Sequence, residues 1–560
     1  MQFRQRYKAL QAVEPKCEIS VVLSDPHCGQ ATLSTWPRLA RVAKVIAFAL
    51  SDAAQGYSHP DTTGTRSFSA NLAGSHEFGA AQRVDGNAYI RNIRRGILNS
   101  NINDPVQGQG PAQLALCRAN YGEACAANVQ SNVQEDISGL NLQFSLDTSA
   151  PEIGGSAPRT GLPPVLRHIF TAGVSGQTSD THFTQFSQDG VLDAGGGVVG
   201  VAGYAPQSDI QAITDAGGIY ATDTLLLGPR ASLSLSLRFD RSRIALHGLS
   251  VDAGGNAVRV DGNHDYQRAN PALGATLALT PATTVYANIA RGFRAPSAIE
   301  LACADARHPC AGVPNAFSAD PGLEGIRARS FELGARGHWG AADAAAADPP
   351  PAHWRFAAFS TRLEDDILFN QSSLSTGYFS NIGATRRDGA EGALDATRGP
   401  MDLGISASVL YSVFASGFTV ANPANAGALC PGASCVPVRP GDRIPGIAPD
   451  MLKVRLGYAL RADTRLEAEL AAQGPTFARG DENNLQPPGR LPGFALASLG
   501  ARCTVARNVE IYGKLRNALN RQTANFGMLA SNNRMGGVAE NFWAVGQPRT
   551  LMVGVEAAWQ

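Results

Sequence analysis

Cysteine is the residue type whose spacing in this chain most directly points to chemistry. Six of the nine cysteines form three close pairs: Cys117 with Cys125, Cys303 with Cys310, and Cys430 with Cys435. Local disulfides within exposed loops are the simpler interpretation, and they require an oxidising compartment such as the periplasm or the cell surface. Metal binding is the alternative, although no CxxC spacing is present and few histidines accompany the pairs. Cys17, Cys28 and Cys503 have no near partner in sequence.

The acidic run Glu364 to Asp366 is the other group that could do chemistry. It follows a predicted strand at Trp354 to Leu363, so we interpret it as a solvated strand end or a periplasmic turn rather than an acid/base pair. The chain has no GxSxG, Walker or HExxH motif, and Gly195 to Gly197 and Gly217 to Gly218 are isolated loop glycines. The sequence therefore predicts no enzyme, no metal site and no cofactor.

The composition narrows the class of protein. Formal net charge is zero, which predicts no nucleic-acid partner. The chain is 44% hydrophobic and 17% charged, with 60 glycines and a mean hydropathy of −0.11. No apolar stretch reaches the roughly 18 residues of a transmembrane helix. A soluble protein and a transmembrane β-barrel both fit, because barrel strands alternate apolar and polar residues and so average out.

Strict alternation of apolar and polar residues indicates the β-strands that position any functional residue. In Ala231 to Phe239, leucines and a phenylalanine face one way while serines and an arginine face the other. The same period of two recurs in four further runs: Leu273 to Leu279, Leu403 to Val409, Val505 to Leu515, and Val553 to Trp559. A soluble propeller or sandwich is the competing interpretation, but no 40–50-residue repeat is visible.

The connections between these runs are of two kinds. Three are short: Leu279 to Thr283, Tyr458 to Thr464, and Cys503 to Asn508. Four are long: Asp104 to Asn132, Cys303 to Arg327, Ala415 to Pro449, and Ala530 to Gln547. Short turns at one end and long loops at the other are typical of outer-membrane barrels, and the chain length accommodates about 18–22 strands. Each cysteine pair lies inside one of these long loops.

An ordered set of motifs resembles the barrel domain of TonB-dependent outer-membrane receptors. Arg291 to Ser297 reads RGFRAPS, like the family run that ends a strand before a long extracellular loop. Asp320-Pro-Gly-Leu323 begins 23 residues later, and Arg329 to Gly334 resembles the start of the family's next strand. The motif residues are Arg291, Gly292, Phe293, Arg294, Ala295, Pro296, Asp320, Pro321, Leu323, Glu332 and Gly334.

The resemblance covers about residues 52–560. Arg443 to Pro449, Asn508 to Arg521 and Gly546 to Leu551 are similar to late family strands and their entry turns. Tyr57 to Thr63 and Asn87 to Asn92 are similar to early barrel strands.

Residues 1–51 do not resemble the family, so we expect an atypical lead-in at 1–51 and the barrel at 52–560. Arg38 to Leu50 is basic and then apolar, like a signal sequence, but Lys44 interrupts its apolar part. We predict a short helix or an irregular segment there. The signal peptide, TonB box and plug of complete receptors are not recognisable, which predicts a truncated form that could lack the first strands.

His308 lies between Phe293–Pro296 and Asp320–Leu323, as a haem-ligating histidine does in haem-importing members of the family. An extracellular imidazole could bind haem iron. However, FRAP-like runs occur in receptors for many ligands, and Pro309 and Cys310 suggest a disulfide-bonded loop. No other ligand-binding residue can be named from the sequence.

The resemblance implies an all-β antiparallel transmembrane barrel of the 22-strand receptor type in the outer membrane of a Gram-negative cell. The implied function is TonB-coupled uptake of a scarce ligand, most often a ferric siderophore or another iron complex. The implied partners are outer-membrane lipid, the TonB complex and the small iron-complex ligand. A passive porin-like channel formed by a barrel without a plug, or a haem receptor, remains the alternative.

Overall fold

The computed structural model describes residues 18–23, 33–34, 40–49, 60–79, 81–101, 125–148, 166–193, 197–251, 256–304, 310–311, 323–339, 352–371, 376–422, 424–425, 435–486, 490–532 and 538–559. Most of these residues lie in antiparallel β-strands, and one short helix, α1, spans Ala298–Leu301. Across the described ranges, no helix is long and apolar enough to cross a membrane.

Twenty successive strands form the barrel wall. The first ten are β1 Glu18–Leu23, β2 Leu33–Ser34, β3 Ala40–Ala49, β4 Thr62–Phe78, β5 Gln82–Asn101, β6 Cys125–Asp147, β7 Leu166–Leu192, β8 Ala205–Leu227, β9 Ala231–Val251 and β10 Gly262–Thr280. The second ten are β11 Thr283–Arg294, β12 Ile326–Trp339, β13 Ala352–Glu364, β14 Thr385–Arg398, β15 Met401–Phe414, β16 Asp450–Arg461, β17 Thr464–Gln473, β18 Phe494–Ala506, β19 Val509–Arg516 and β20 Thr550–Trp559.

Two short strands lengthen the same sheet beyond β7 and β9, giving 22 strands in all: Val198–Gly200 and Ala257–Arg259. The remaining short strands belong to the long connections: Cys310–Ala311, Ile367–Gln371, Thr376–Asn381, Phe418–Ala421, Cys435–Val438, Thr476–Phe477, Arg490–Leu491, Ala524–Asn532 and Val538–Val545.

From β4 onward each wall strand pairs antiparallel with the next one in the chain. The last strand, β20, then pairs with β3, while β1 pairs with both β2 and β4. The first three strands therefore occupy the seam between β20 and β4. This arrangement confirms the all-β antiparallel barrel.

The segment before residue 52 differs from the sequence prediction. A short helix or irregular lead-in was expected, but Ala40–Ala49 forms a strand paired along the whole of Thr550–Trp559. Two physical reasons account for this. Val42, Val45 and Ile46 favour strands, and β20 would otherwise present an unpaired edge. The division of the chain at residue 51/52 stays a prediction.

The connections alternate in length around most of the barrel, as predicted, but those after β6 (148–165) and β12 (340–351) are long although they lie at the short-turn end. Turns of two or three residues follow β4, β8, β10, β14, β16 and β18, whereas the loops after β5, β11, β13, β15, β17 and β19 are long. Some predicted bounds were wrong. The first long loop ends before Cys125, Ala530–Gln547 contains strand residues of a hairpin, and a turn at 507–508 divides Val505–Leu515.

The two faces of the wall differ in the way the alternation predicts. On β9 the outward side chains Leu235, Leu237 and Phe239 are 50%, 55% and 40% exposed. The intervening side chains face the lumen, where Ser234 and Ser236 hydrogen-bond to threonine hydroxyls of β8 at 2.8 Å. An apolar exterior over a polar interior suits a wall between lipid and a wet lumen.

Strands β5–β9 are 20–27 residues long, whereas β11–β20 have 8–14 residues. About 9–11 tilted residues span the apolar layer. On β9 the outward residues change from Phe239 to Arg241 and Arg243, so roughly half of the strand lies beyond the apolar band. We call this long-strand side, β5–β9 with the start of β10, the tall wall.

Aromatic side chains lie over glycines on the lumen face of neighbouring strands. The pairs in direct register are Tyr89 and Gly139, Tyr220 and Gly173, Tyr286 and Gly334, Phe359 and Gly389, and Tyr512 and Gly554. A Cβ placed on any of these glycines would lie 2.3–2.6 Å from a ring atom. The missing side chain thus leaves the space that the ring fills, which pins the strand register.

Gly139→Ala should lower barrel stability by about 1–3 kcal/mol, because its Cβ would lie 2.3 Å from Tyr89 Cζ and the ring would be displaced. Urea unfolding in lipid vesicles, followed by circular dichroism, measures the change. Gly176→Ala on β7 is the matched control, since nothing lies within 4 Å of its added Cβ. The Tyr89→Ala/Gly139→Ala double variant should lose less than the sum of the single changes. Strict additivity would contradict the pairing.

Candidate functional site at the loop end of the barrel

The RGFRAPS motif forms the base of the loop that follows β11. Ser297 caps α1, because the Glu300 backbone N–H donates to Ser297 Oγ (3.4 Å) and the Ser297 N–H donates to Glu300 Oε2 (2.7 Å). Arg294 holds the same carboxylate with two hydrogen bonds of 2.7 and 3.0 Å. Burial alone would raise the pKa of Glu300, but the hydrogen bonds from Arg294 and Ser297 outweigh it and lower that pKa.

Beyond this anchor, the loop packs against the inner face of the tall wall. Leu301 and Ala302 are 0% and 1% exposed and belong to one apolar cluster with side chains of β7–β9. The wall members of that cluster are Phe183, Ile210, Ala212, Ile244 and Leu246. Because these residues lie beyond the apolar band, the cluster is built at the loop end of the lumen. The cluster holds the loop after β11 against the inner face of the wall.

The other motif residues have different surroundings. Leu323 joins the same cluster, and its carbonyl accepts a hydrogen bond from Tyr266 Oη (2.9 Å). Glu332 and Gly334 lie on β12, where the ring of Tyr286 covers Gly334. Asp320, Pro321 and His308 lie outside the described residues. Arg294 and Leu323 therefore stabilise the mouth, whereas Glu332 and Gly334 belong to the barrel wall.

The loop after β13 is hydrogen-bonded to the loop after β11. The Phe379 N–H donates to the Cys303 carbonyl (2.6 Å), and Cys303 Sγ lies 3.4 Å from the Gly377 carbonyl oxygen. Asn381 bonds the backbone of Glu324 in both directions, at 2.9 and 3.1 Å. These bonds make the two loops one body.

The acidic run ends β13 at the long-loop end of the barrel, where a connection of about 20 residues begins, so it is a strand end and not a short turn. Arg327 Nε binds Asp365 Oδ2 (3.0 Å), and Thr385 Oγ1 donates to Asp366 Oδ2 (2.6 Å). The run therefore ties the loop base to β12 and β14.

A second assembly, which we call the loop hub, is formed by residues 478–486 with Asn422 and Asn425. Both asparagines donate from Nδ2 to the Gly480 carbonyl, at 2.8 and 2.9 Å. Asn484 exchanges two hydrogen bonds with the Arg443 backbone, at 2.6 and 3.0 Å. Arg479 pairs through its backbone with Gly527 and Leu529. The hub thus joins the loops after β15, β17 and β19.

The loop hub buries two adjacent carboxyl groups, which the sequence analysis did not single out. Asp481 is 0% exposed, and among the described residues its Oδ2 atom has no hydrogen-bond partner. Burial raises the pKa of Asp481 to about 7, and the nearby Glu482 and Asp442 charges add to the effect. Burial also raises the pKa of Glu482, whose Oε1 accepts from the Gly480 N–H at 2.9 Å. The dense Asp-Glu-Asn-Asn run was the only sequence signal for this cluster.

Two exposed arginines lie over aromatic rings at this end of the molecule. The Arg479 guanidinium is 5.2 Å from the centre of the Phe369 ring, which links the loop hub to the loop after β13. The Arg490 guanidinium is 4.6 Å from the Phe477 ring. Cationic groups beside aromatic faces could bind an anionic, aromatic small molecule. Within the described ranges, no cluster of three His, Cys, Asp or Glu side chains could hold a metal ion.

Two of the six cysteines in the predicted pairs have side chains that the structure describes. Cys303 and Cys435 are each disulfide-bonded, and both lie in long-loop segments. The side chains of Cys117, Cys125, Cys310 and Cys430 lie outside the described residues, so the pairing itself stays a prediction. Cys503 is a free thiol near the short turn after β18.

Comparison with known proteins relates this architecture to a family. Residues 30–518 match the family described as "TonB dependent receptor-like, beta-barrel". A comparison with curated protein sequences finds no match.

Solved structures share the fold at low identity. The siderophore receptor PiuA from Acinetobacter baumannii superimposes with a TM-score of 0.62 at 13% identity, over 97% of this chain and 78% of that one. The ferric-catecholate import receptor Fiu from E. coli K12, in its closed form, gives 0.64 at 14%, over 98% and 78%. The copper transporter OprC gives 0.54 at 12%, over 98% and 81%.

The loop hub should loosen as the pH rises. The folded pKa of Asp481, about 7, exceeds its ordinary value of 3.8, so the folded hub holds a proton that the opened one releases. Stability therefore falls from about pH 4 to 7 and is level above that. Protease cleavage within 478–486 should therefore quicken between about pH 4 and 7. Asp481→Asn should flatten this profile and Asp463→Asn, in an exposed turn, should not; an unchanged profile in Asp481→Asn would refute the assignment.

Non-reducing peptide mapping should recover Cys117–Cys125, Cys303–Cys310 and Cys430–Cys435 as three cross-linked fragments. In Cys303→Ser, protease should also cleave the loop after β11 more readily, because the body that this loop forms with the loop after β13 loses a disulfide. Cys503→Ser serves as the control, since that thiol is free. Ready alkylation of all six loop cysteines in exported protein would show that the loops are not disulfide-bonded.

Proposed function

Because the chain belongs to the TonB-dependent receptor-like β-barrel family, whose members are transporters rather than enzymes, we propose that it is an outer-membrane receptor for TonB-coupled uptake of a ferric siderophore. The observation that carries the proposal is the interlocked loop end of the barrel. Two bonded bodies, the loop after β11 with the loop after β13 and the loop hub, lie at the long-loop end of the barrel. Such a mouth can capture a bulky ligand before it enters the lumen.

The proposed ligand class rests on chemistry at that mouth and on the fold neighbours. PiuA is titled a siderophore receptor, Fiu a ferric-catecholate import receptor, and a further neighbour, FecA, a ferric citrate transporter. Ferric catecholates and ferric citrate are anionic, and catechol rings are aromatic. Arg479 beside Phe369 and Arg490 beside Phe477 offer cationic and aromatic contacts to such a ligand.

The lumen wall below the mouth supplies a polar path. A groove of about 410 Å³ lies on the wall across β11–β18 and is lined by charged and aromatic side chains that include Tyr286, Arg355, Glu391 and Lys453. Charges of both signs are therefore present along the path, together with hydroxyl groups from Ser406 and Ser408. Haem remains a separate hypothesis, because His308 lies outside the described residues.

Binding of a ferric catecholate to the detergent-purified protein tests the ligand class. We expect saturable binding of radioactive ferric enterobactin-type catecholate, with Arg479→Gln/Arg490→Gln weakening it about tenfold or more, since each lost charge-assisted contact contributes roughly 1.5–3 kcal/mol. Arg241→Gln is the matched control, because that exposed arginine lies on the outer face of β9 and faces away from the lumen. Equal loss in the control would point to non-specific electrostatics.

Uptake tests the coupling. In a strain lacking catecholate receptors, the protein should restore growth on ferric catecholate only when TonB is present. Growth that is independent of TonB, together with steady conductance in planar bilayers, would instead support a passive channel. Recovery of the protein as a monodisperse species without detergent would refute the outer-membrane location itself.

A further inference from the structure

Four arginines stand in direct register on four adjacent strands. Arg291 of β11 pairs with Arg329 of β12, Arg329 pairs with Arg362 of β13, and Arg362 pairs with Arg386 of β14. Adjacent strands lie about 4.8 Å apart, so this arginine row spans roughly 14 Å across the wall. The four residues are far apart in the sequence, and only the strand register brings them together.

The arginine row is on the outer face of the barrel, at the loop-end edge of its apolar surface. Side chains two residues apart share a face, so Arg291 lies beside Ile289 and Arg329 beside Phe331, which are 55% and 49% exposed. The polar lumen residues Tyr286 and Glu332 lie on the opposite face. The row therefore cannot contact a ligand inside the lumen.

Direct opposition of like charges on neighbouring strands is unfavourable, and the protein neutralises only part of it. Arg386 Nε binds Asp388 Oδ2 at 2.9 Å, and Arg329 lies 3.5 Å from Glu364 Oε1. Glu364 is also approached by Arg327, at 3.8 Å. Among the described residues, Arg291 and Arg362 have no carboxylate within 4 Å. The row thus presents unneutralised, exposed guanidinium groups beside lipid.

We propose that the arginine row binds the phosphate groups of a phosphorylated glycolipid in the outer leaflet. Guanidinium groups bind phosphate with paired, charge-assisted hydrogen bonds. The continuity of the row with the apolar band places it where acyl chains give way to headgroups, and long arginine side chains reach from that edge to the headgroup layer. The inference rests on the proposed outer-membrane location, but not on the identity of the transported ligand.

Native mass spectrometry of the detergent-purified full chain tests the row directly, with bis-phosphorylated lipid A as the probe. Wild-type protein should retain lipid A at concentrations where Arg291→Gln/Arg362→Gln binds it about tenfold more weakly or worse. Lipid A without its phosphates should bind wild-type protein no better than it binds the variant. The single variant Arg362→Gln should show an intermediate loss, and heat-modifiable migration in gels confirms that each variant is folded.

Arg241→Gln/Arg243→Gln is the matched control, because these two arginines are also outward on β9 but share the carboxylate of Asp265. Its lipid A binding should equal that of the wild type. The assignment is overturned if the Arg291/Arg362 variant binds lipid A like the wild type, if the control loses as much, or if inorganic phosphate displaces lipid A at equal concentration. Protein that fractionates outside the outer membrane would refute the location, whereas a membrane-inserted barrel indifferent to these changes refutes only the arginine row.

Discussion

The pairing of every backbone N–H and C=O in an apolar layer is the constraint on which this structure depends. No water is present there to replace a missing partner, so an unpaired strand edge is costly. The chain meets the constraint with consecutive antiparallel strands from β4 to β20 and with β1–β3 at the seam. The segment before residue 52 forms strands for this reason. Its local sequence matters less than the edge that it covers.

Closing the wall leaves the side chains to define two environments, and this part of the fold could be predicted from the sequence. The alternation of apolar and polar residues at Ala231–Phe239 and Leu403–Val409 indicates strands, because successive side chains of a strand point to opposite faces. This pattern can be recognised within one short run of residues. Strand ends were less predictable. The hairpin of Ala524–Asn532 with Val538–Val545 lies in a Gly- and Asn-rich stretch, and the turn at 507–508 interrupts an unbroken alternation. In both cases the pairing of two strands that are neighbours in the chain sets the strand ends.

The candidate site was predictable in position but not in role. The RGFRAPS and DPGL motifs indicate the loop after β11, yet the described contacts give their residues structural work: Ser297 and Arg294 hold Glu300, and Leu323 packs with Ile244 and Leu246. Those wall residues are ordinary alternating positions in the sequence. Only the length of β7–β9 beyond the apolar band shows that their inward face meets a loop. The arginine row is hidden from the sequence for a similar reason, since register is a property of the assembled sheet.

The two halves of the mouth are stabilised by different forces, and this difference bears on how the mouth could open. The loop after β11 is held to the tall wall mainly by apolar burial, since Leu301 and Leu246 are both 0% exposed. The loop hub is held by asparagine hydrogen bonds around the buried Asp481 carboxyl group. Apolar contact varies little with protonation, whereas a buried carboxyl that ionises near pH 7 weakens its surroundings when charged. The hub side, over β15–β20, is therefore the side of the mouth whose stability depends on pH, and the Arg479–Phe369 contact connects it to the loop after β13.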